Sequence, residues 1–318
     1  MTRRRLSVFA AGAGVVLALL GGPSARGGAP ADAQYIGSVV CRGCHRGTDP
    51  QLVSTWAASA HAFALWKAGE STGAGKIVAT FSPSPPFTQA QVAYVVGIGH
   101  RQQAFLGTDL KTLPGRWEVK SKSWGPQPAL DAKGDCLGCH TSGYDPAAGT
   151  WKETGVGCEM CHGPGSTHAA ATDKKATITR FADLPPARQA MACAQCHARG
   201  LSKNGKYPFP LGFRPGDDLD QVFTLSTDTA TWTQNAQYNQ LRLGGGKHLA
   251  AGVVCTTCHD PHGSGPWLLR DAVNPLCLKC HQGKLKGPQH GDEVLKAVTC
   301  DTCHMPGGSH TFVSPHST

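Results

Sequence analysis

Apolar residues fall in short, broken runs along most of this 318-residue chain. One exception is the apolar stretch at residues 6–20, with Arg3, Arg4 and Arg5 just before it. A basic start, an apolar run and the small-residue site Ala31-Asp32-Ala33 read as an export signal over residues 1–33, cut before Gln34. The run is shorter than the roughly 20 residues of a comfortable membrane span. Further along, Asp49 suits an N-cap, Pro50 suits the first helical position, and Leu52, Trp56 and Phe63 recur near one face. This pattern predicts a helix that carries His61. A second helix is predicted over 236–243, ended by Gly244-Gly245-Gly246, which present Lys247 and His248.

Between these helices the pattern changes. Residues 78–81, 92–98 and 117–119 are β-branched or aromatic runs, punctuated by Pro83, Pro85, Pro86 and Gly107. They predict a small β-rich insertion around 76–124, with His100 at a strand exit. Hydrophobic residues make up 40% of the chain, beside 40 glycines and 22 prolines. The expected fold is therefore mainly α with much irregular structure, short helices and many turns.

Cysteine gives the chain its chemistry. All 14 cysteines fall in the pattern C-x-x-C-H, which occurs seven times. The sets are Cys41, Cys44 and His45; Cys136, Cys139 and His140; Cys158, Cys161 and His162; Cys193, Cys196 and His197. They continue with Cys255, Cys258 and His259; Cys277, Cys280 and His281; and Cys300, Cys303 and His304. This is the attachment motif of a c-type haem, with two thiols adding to the vinyl groups and the histidine ligating the iron. Zinc knuckles and disulfides also use paired cysteines, but neither needs a histidine after every second cysteine. With histidine at 15 of 318 residues, seven chance matches have odds on the order of one in a billion.

Seven haems leave roughly 41 residues each, too few for seven private hydrophobic cores, so the haems are expected to form much of the interior. Motif starts at 136 and 158, and at 255, 277 and 300, recur at 22 or 23 residues, which suggests a repeated unit. Residues 200–218 are rich in proline, glycine and charge. They place a soft boundary between a module at 34–199 with four motifs and one at 200–318 with three.

Eight histidines lie outside the motifs: His61, His100, His168, His248, His262, His290, His310 and His316. Seven are needed as second axial ligands, and His316, next to the C-terminus, is the expected surplus. His262 cannot reach back to an iron held by His259 and should serve a neighbour. Met191 is the best methionine alternative, and methionine is scarce. With every iron doubly ligated, the sequence favours an electron carrier over bond-making chemistry. The formal charge of +9 drops once the signal is removed and haem propionates are added. Basic residues thus read as propionate partners, and nucleic acid is not an expected ligand.

Several phrases flank the motifs: Trp56 with Ser59-Ala60-His61, Gly155-Val156-Gly157-Cys158-Glu159, and His162-Gly163-Pro164-Gly165-Ser166-Thr167-His168. Others are Gly212-Phe213-Arg214-Pro215-Gly216-Asp217, His259-Asp260-Pro261-His262-Gly263 and His304-Met305-Pro306. Together they resemble the multihaem cytochrome c superfamily of hydroxylamine oxidoreductase, pentahaem nitrite reductase and the tetrahaem carrier of nitrifiers. The resemblance implies that His61, His168, His248 and His262 are distal ligands. The chain departs from those enzymes in having no C-x-x-C-K motif and no identifiable cross-linking tyrosine.

The expected function is electron transfer in the periplasm or outside the cell. Redox partners would be a quinol-linked donor and a terminal acceptor or reductase, with association to a membrane or outer-membrane complex. The alternatives are a reductase acting on a small nitrogen or sulfur oxyanion at a five-coordinate haem, and a subunit of an extracellular cytochrome filament.

Overall fold

Helices α1 (Ser38–Thr48) and α2 (Pro50–Ala57) meet at Asp49 in the computed structural model, which describes residues 29–70, 75–228, 235–244, 246–285 and 287–315. The expected export run at 6–20 and His316 lie outside those residues. The Asp49 carboxylate accepts from the Leu52 N–H at 2.9 Å and Pro50 opens α2, as N-cap chemistry predicts. However, α2 stops at Ala57, sooner than the Leu52–Trp56–Phe63 spacing implies. Ser59 is buried, and its hydroxyl accepts from the Ala62 N–H at 3.2 Å. His61 therefore sits on a turn after the helix, not on the helix itself.

The β-rich insertion is wider than 76–124. Strands β1 (Leu65–Lys67), β2 (Tyr94–Val96), β3 (Gln102–Leu106), β4 (Gly115–Glu118) and β5 (Ser123–Pro126) form one antiparallel sheet in chain order. Residues 78–81 form no strand. There the Val78 N–H donates to Gln103 Oε1 at 2.9 Å, so a buried side chain replaces the ladder. Alternation across the pleat gives the sheet two apolar faces. Trp66, Val95 and Phe105 are register partners on one face and pack with Phe87, Val92 and Trp117. Leu65 pairs with Val96 and Tyr94 with Leu106 on the other face, which packs on Ala132, Leu137 and Cys136. The insertion is thus a platform under the second motif.

A second core gathers Ala190, Met191 and Ala194 of helix Pro186–His197 with Phe213, Leu219, Phe223, Tyr238 and Val254. It joins residues on both sides of position 200. Helix Gln237–Leu243 forms where the sequence predicts it and leads to Gly246 in the left-handed region, which turns the chain toward His248.

Residues 29–37 lie across this body. The Arg214 guanidinium donates to the Pro30 carbonyl at 2.6 Å, and Ala33 is 2% exposed. Gln34 and Ser166 exchange bonds, Ser166 N–H to Gln34 O at 3.1 Å and Gln34 N–H to Ser166 Oγ at 2.8 Å. The expected cut before Gln34 falls inside this packed strap.

Candidate functional site

Each motif ends, or nearly ends, a short helix. Examples are α1, Leu137–His140, Cys158–His162, Pro186–His197, Val273–His281 and Cys300–His304. Spacings of three and four residues bring both thiols and the histidine to one helix face. In the second motif a Cβ on Gly138 would run into the Phe209 ring, so that position favours glycine.

The histidines meet in pairs. His45 faces His168, with ring centroids 6.2 Å apart, and His162 faces His262 at 6.0 Å. His197 faces His61 at 6.2 Å, His281 faces His248 at 6.0 Å, His259 faces His310 at 6.2 Å and His304 faces His290 at 6.0 Å. Two imidazoles that share one metal through bonds of about 2 Å hold their rings about 6 Å apart. Every pair joins one motif histidine to one non-motif histidine, so the spacing is that of two axial ligands.

The remaining ring nitrogens agree. Nδ1 of His140 bonds the Ala64 carbonyl at 2.9 Å, that of His162 the Thr179 carbonyl at 2.8 Å, and that of His259 the Trp267 carbonyl at 2.8 Å. His304 bonds Val313 O at 2.9 Å, His168 bonds Lys174 O at 2.9 Å and His310 bonds Gly308 O at 3.1 Å. A carbonyl only accepts, so Nδ1 carries the proton and Nε2 is left free to ligate. Burial also holds His61, His140, His162, His248 and His262 below the ordinary imidazole range and takes His310 down to about 4. The neutral ring is the ligating form. Sequence reasoning missed these carbonyl partners, since any residue type supplies one.

Thiols of different motifs also lie close enough to perturb one another: Cys41 and Cys158, Cys139 and Cys196, Cys193 and Cys255, and Cys277 and Cys300. The attachment points therefore lie side by side. Arg42, inside the first motif, keeps a buried Nε without a partner among the described residues, a donor suited to a propionate. The donor set fits haem c.

Three expected ligands or sites stand apart from the pairs. His100 is exposed, and among the described residues it makes no ring contact with another histidine. His140 likewise faces no imidazole among the described residues, so a second histidine stands opposite six motif histidines and not the seventh. Met191 lies in the second core beside Arg188, at 3.7 Å, and not opposite a motif histidine.

Imidazole pairs set over C-x-x-C-H helices define a multihaem c-type cytochrome. Over parts of its length the chain is similar to members of that class. The family described as cytochrome c554 and c-prime matches residues 108–163, and the doubled CXXCH motif matches residues 247–286. Cytochrome c-554 of Nitrosomonas europaea is 30% identical over 131 residues, 35% of this chain and 54% of that protein. The multiheme cytochrome MtrA of Shewanella baltica is 27% identical over 151 residues, 42% of this chain and 44% of that one. The chain thus spans about half the length of these relatives. The crystal structure of the outer cell wall cytochrome OcwA shares the fold, with a TM-score of 0.69 at 20% identity, covering 88% of this chain and 79% of that one. Among the described residues, no helix is long and apolar enough to cross a membrane.

Proposed function

We propose that the chain binds seven haems and passes electrons between redox partners of the cell envelope, outside the cytoplasm. Six imidazole pairs at 6.0–6.2 Å, each uniting a motif with a distant histidine, carry this reading. Haem c, when bound, supplies an iron that gains and releases one electron at a potential set by its ligands and surroundings. The protein fixes both rings of the His259–His310 pair, and one ring each of the His45–His168, His162–His262 and His290–His304 pairs, through Nδ1–carbonyl bonds.

The thiol contacts give the sites an order. The Cys41 site lies beside the Cys158 site, and the thiol of Cys161 in turn lies within electrostatic reach of Cys193. From Cys193 the series continues through Cys255, through Cys258 to Cys280, and from Cys277 to Cys300. The Cys136 site branches from it where Cys139 meets Cys196. A linear series with ends near His45 and His304 suits one partner at each end, a quinol-linked donor and a terminal acceptor. The outer-cell-wall name of the OcwA neighbour supports an envelope location. Intact mass decides the haem count, which should be seven; a lower count with retained thiols overturns it.

A second reading rests on His140, which faces no imidazole among the described residues. An open position there suits a small ligand such as nitrite or another oxyanion, fed with electrons through the Cys139–Cys196 contact. Carbon monoxide added to the reduced protein tests it. A shift of one Soret component in seven supports an open site, and an unmoved band means full ligation.

A further inference from the structure

Two carboxylates lie between the first and third motifs, and electron transfer as proposed uses neither. Glu153, on the short strand Glu153–Thr154, accepts from the Ser38 N–H at 3.1 and 3.0 Å and from Ser38 Oγ at 2.8 Å. Ser38 opens α1, which carries Cys41, Cys44 and His45. The same Ser38 hydroxyl accepts from the Cys158 N–H at 3.0 Å, at the start of helix Cys158–His162. One carboxylate is therefore tied, through one serine, to the N-termini of both helices, whose thiols Cys41 and Cys158 lie close enough to perturb one another. The fit is close: a Cβ on Gly157 would meet Glu153 Oε1 and Ser38 Oγ, and both side chains would have to shift.

The charges around Glu153 are few. Glu159 is 1% exposed and held by the backbone N–H groups of Ile36 (2.9 and 3.1 Å), Gly37 (2.6 Å) and Gly165 (2.7 Å). Lys152 acts from next door, without a salt bridge to Glu153 among the described residues. Burial raises the Glu153 carboxyl above its ordinary range and Glu159 raises it further, while Ser38 and Lys152 work the other way.

We propose that Glu153 is a proton-binding site linked to reduction of the two haem sites it bridges. The inference rests on the proposed haem occupancy of those sites. Haem held by these two motifs would gain one negative charge with each electron accepted from the redox donor. The added negative charge favours the neutral carboxyl, so Glu153–COO⁻ takes one proton from solvent and becomes Glu153–COOH. Reoxidation releases that proton. Electron transfer at this end of the series is then pH-dependent, with the potential of these sites falling as pH rises.

The test is proton uptake on full electrochemical reduction of the holoprotein in weak buffer with an indicator dye. Glu153→Gln, which keeps an acceptor for Ser38, should take up about one proton fewer than wild type, and Glu153→Asp should restore it. Uptake unchanged in Glu153→Gln, with seven haems by mass and native spectra, overturns the proposal. Missing haem mass in the wild type would instead overturn the proposed occupancy. Should Glu153→Gln lose haem, Ser38→Ala keeps the carboxyl and removes a bond that lowers its affinity for the proton. Uptake must then move to higher pH, and an unmoved profile also overturns the proposal.

Discussion

His162 and His262 present parallel imidazoles, 1° between planes and 6.0 Å between centroids, although they come from distant parts of the chain. One is fixed by its motif helix and the Thr179 carbonyl, the other by a turn in which the His262 N–H donates to Asp260 Oδ1 at 3.0 Å. His262 follows its own motif by three residues, yet faces the histidine of another. The pair therefore ties the C-terminal motifs to the N-terminal ones.

Replacing His262 by alanine should convert one haem of seven from low to high spin and leave the other pairs intact. Removing the ring also opens a cavity at the meeting of two segments, so thermal stability should drop by several degrees. Electron paramagnetic resonance and a melting curve check both. A spectrum identical to wild type would make His262 an ordinary surface residue.

The six pairs divide by ring orientation. His45–His168, His162–His262, His259–His310 and His290–His304 lie within 26° of parallel, whereas His61–His197 and His248–His281 cross at 74° and 65°. Parallel ligand planes split the iron d orbitals and give rhombic low-spin signals, while crossed planes leave them nearly degenerate and give one feature at large g. Two of the six low-spin haems should show the large-g type. His248→Ala and His61→Ala should each remove one such feature.

The sequence displays covalent chemistry better than space. Each C-x-x-C-H names its own proximal histidine, because thiols and ligand are neighbours on one helical turn. Asp49 with Pro50, and the glycines after Leu243, likewise act within a few residues: α2 starts where it is read, though it stops short of His61, and helix Gln237–Leu243 forms as read. The partners of His162 and His45 depend instead on which turns meet in the fold, and nothing local encodes that. The same holds for β1. Leu65-Trp66-Lys67 is too short to show a period, and it becomes a strand because Tyr94, Val95 and Val96 pair with it. His100 looked like a ligand because it ends a predicted strand near a glycine pair. In the structure His100 is exposed.

His100→Ala should accordingly leave the optical and spin-resonance spectra unchanged. His316 is the remaining non-motif histidine, and His316→Ala distinguishes two states of the His140 site. If carbon monoxide binds one haem in wild type, His316→Ala should not increase binding. If wild type resists carbon monoxide and His316→Ala admits it, His316 is the seventh distal ligand.

Stability in acid should depend on Asp220. The Arg242 guanidinium meets it through two bonds, at 2.8 and 2.7 Å, and holds its carboxyl below the ordinary range. A carboxylate depressed in the folded state adds stability above its unfolded value, and that stability is lost as pH falls through the lower folded one. Both side chains are about a third exposed, so the contribution is small. Arg242 lies on helix Gln237–Leu243, just before His248. Arg242→Met should lower the melting temperature at neutral pH and flatten its decline toward strong acid. An unchanged decline would place the acid sensitivity elsewhere.

The N-terminal strap sets the final prediction. Cutting before Gln34 would remove Pro30, whose carbonyl receives Arg214, and Ala33, which is buried and offers its own carbonyl to the same guanidinium at 3.5 Å. Arg214 would keep its charge and lose both acceptors, and desolvated charges without partners are costly. Gly163 packs on Ala29, so the loss would also reach the loop after His162. If the chain is processed on export, the mature protein should therefore begin at or before Ala29, and N-terminal sequencing of exported material reads this directly. A variant engineered to start at Gln34 should melt at a lower temperature and lose integrity first at the His162–His262 site. A native N-terminus at Gln34 with full stability would mean that Arg214 finds other partners and that residues 29–33 are dispensable.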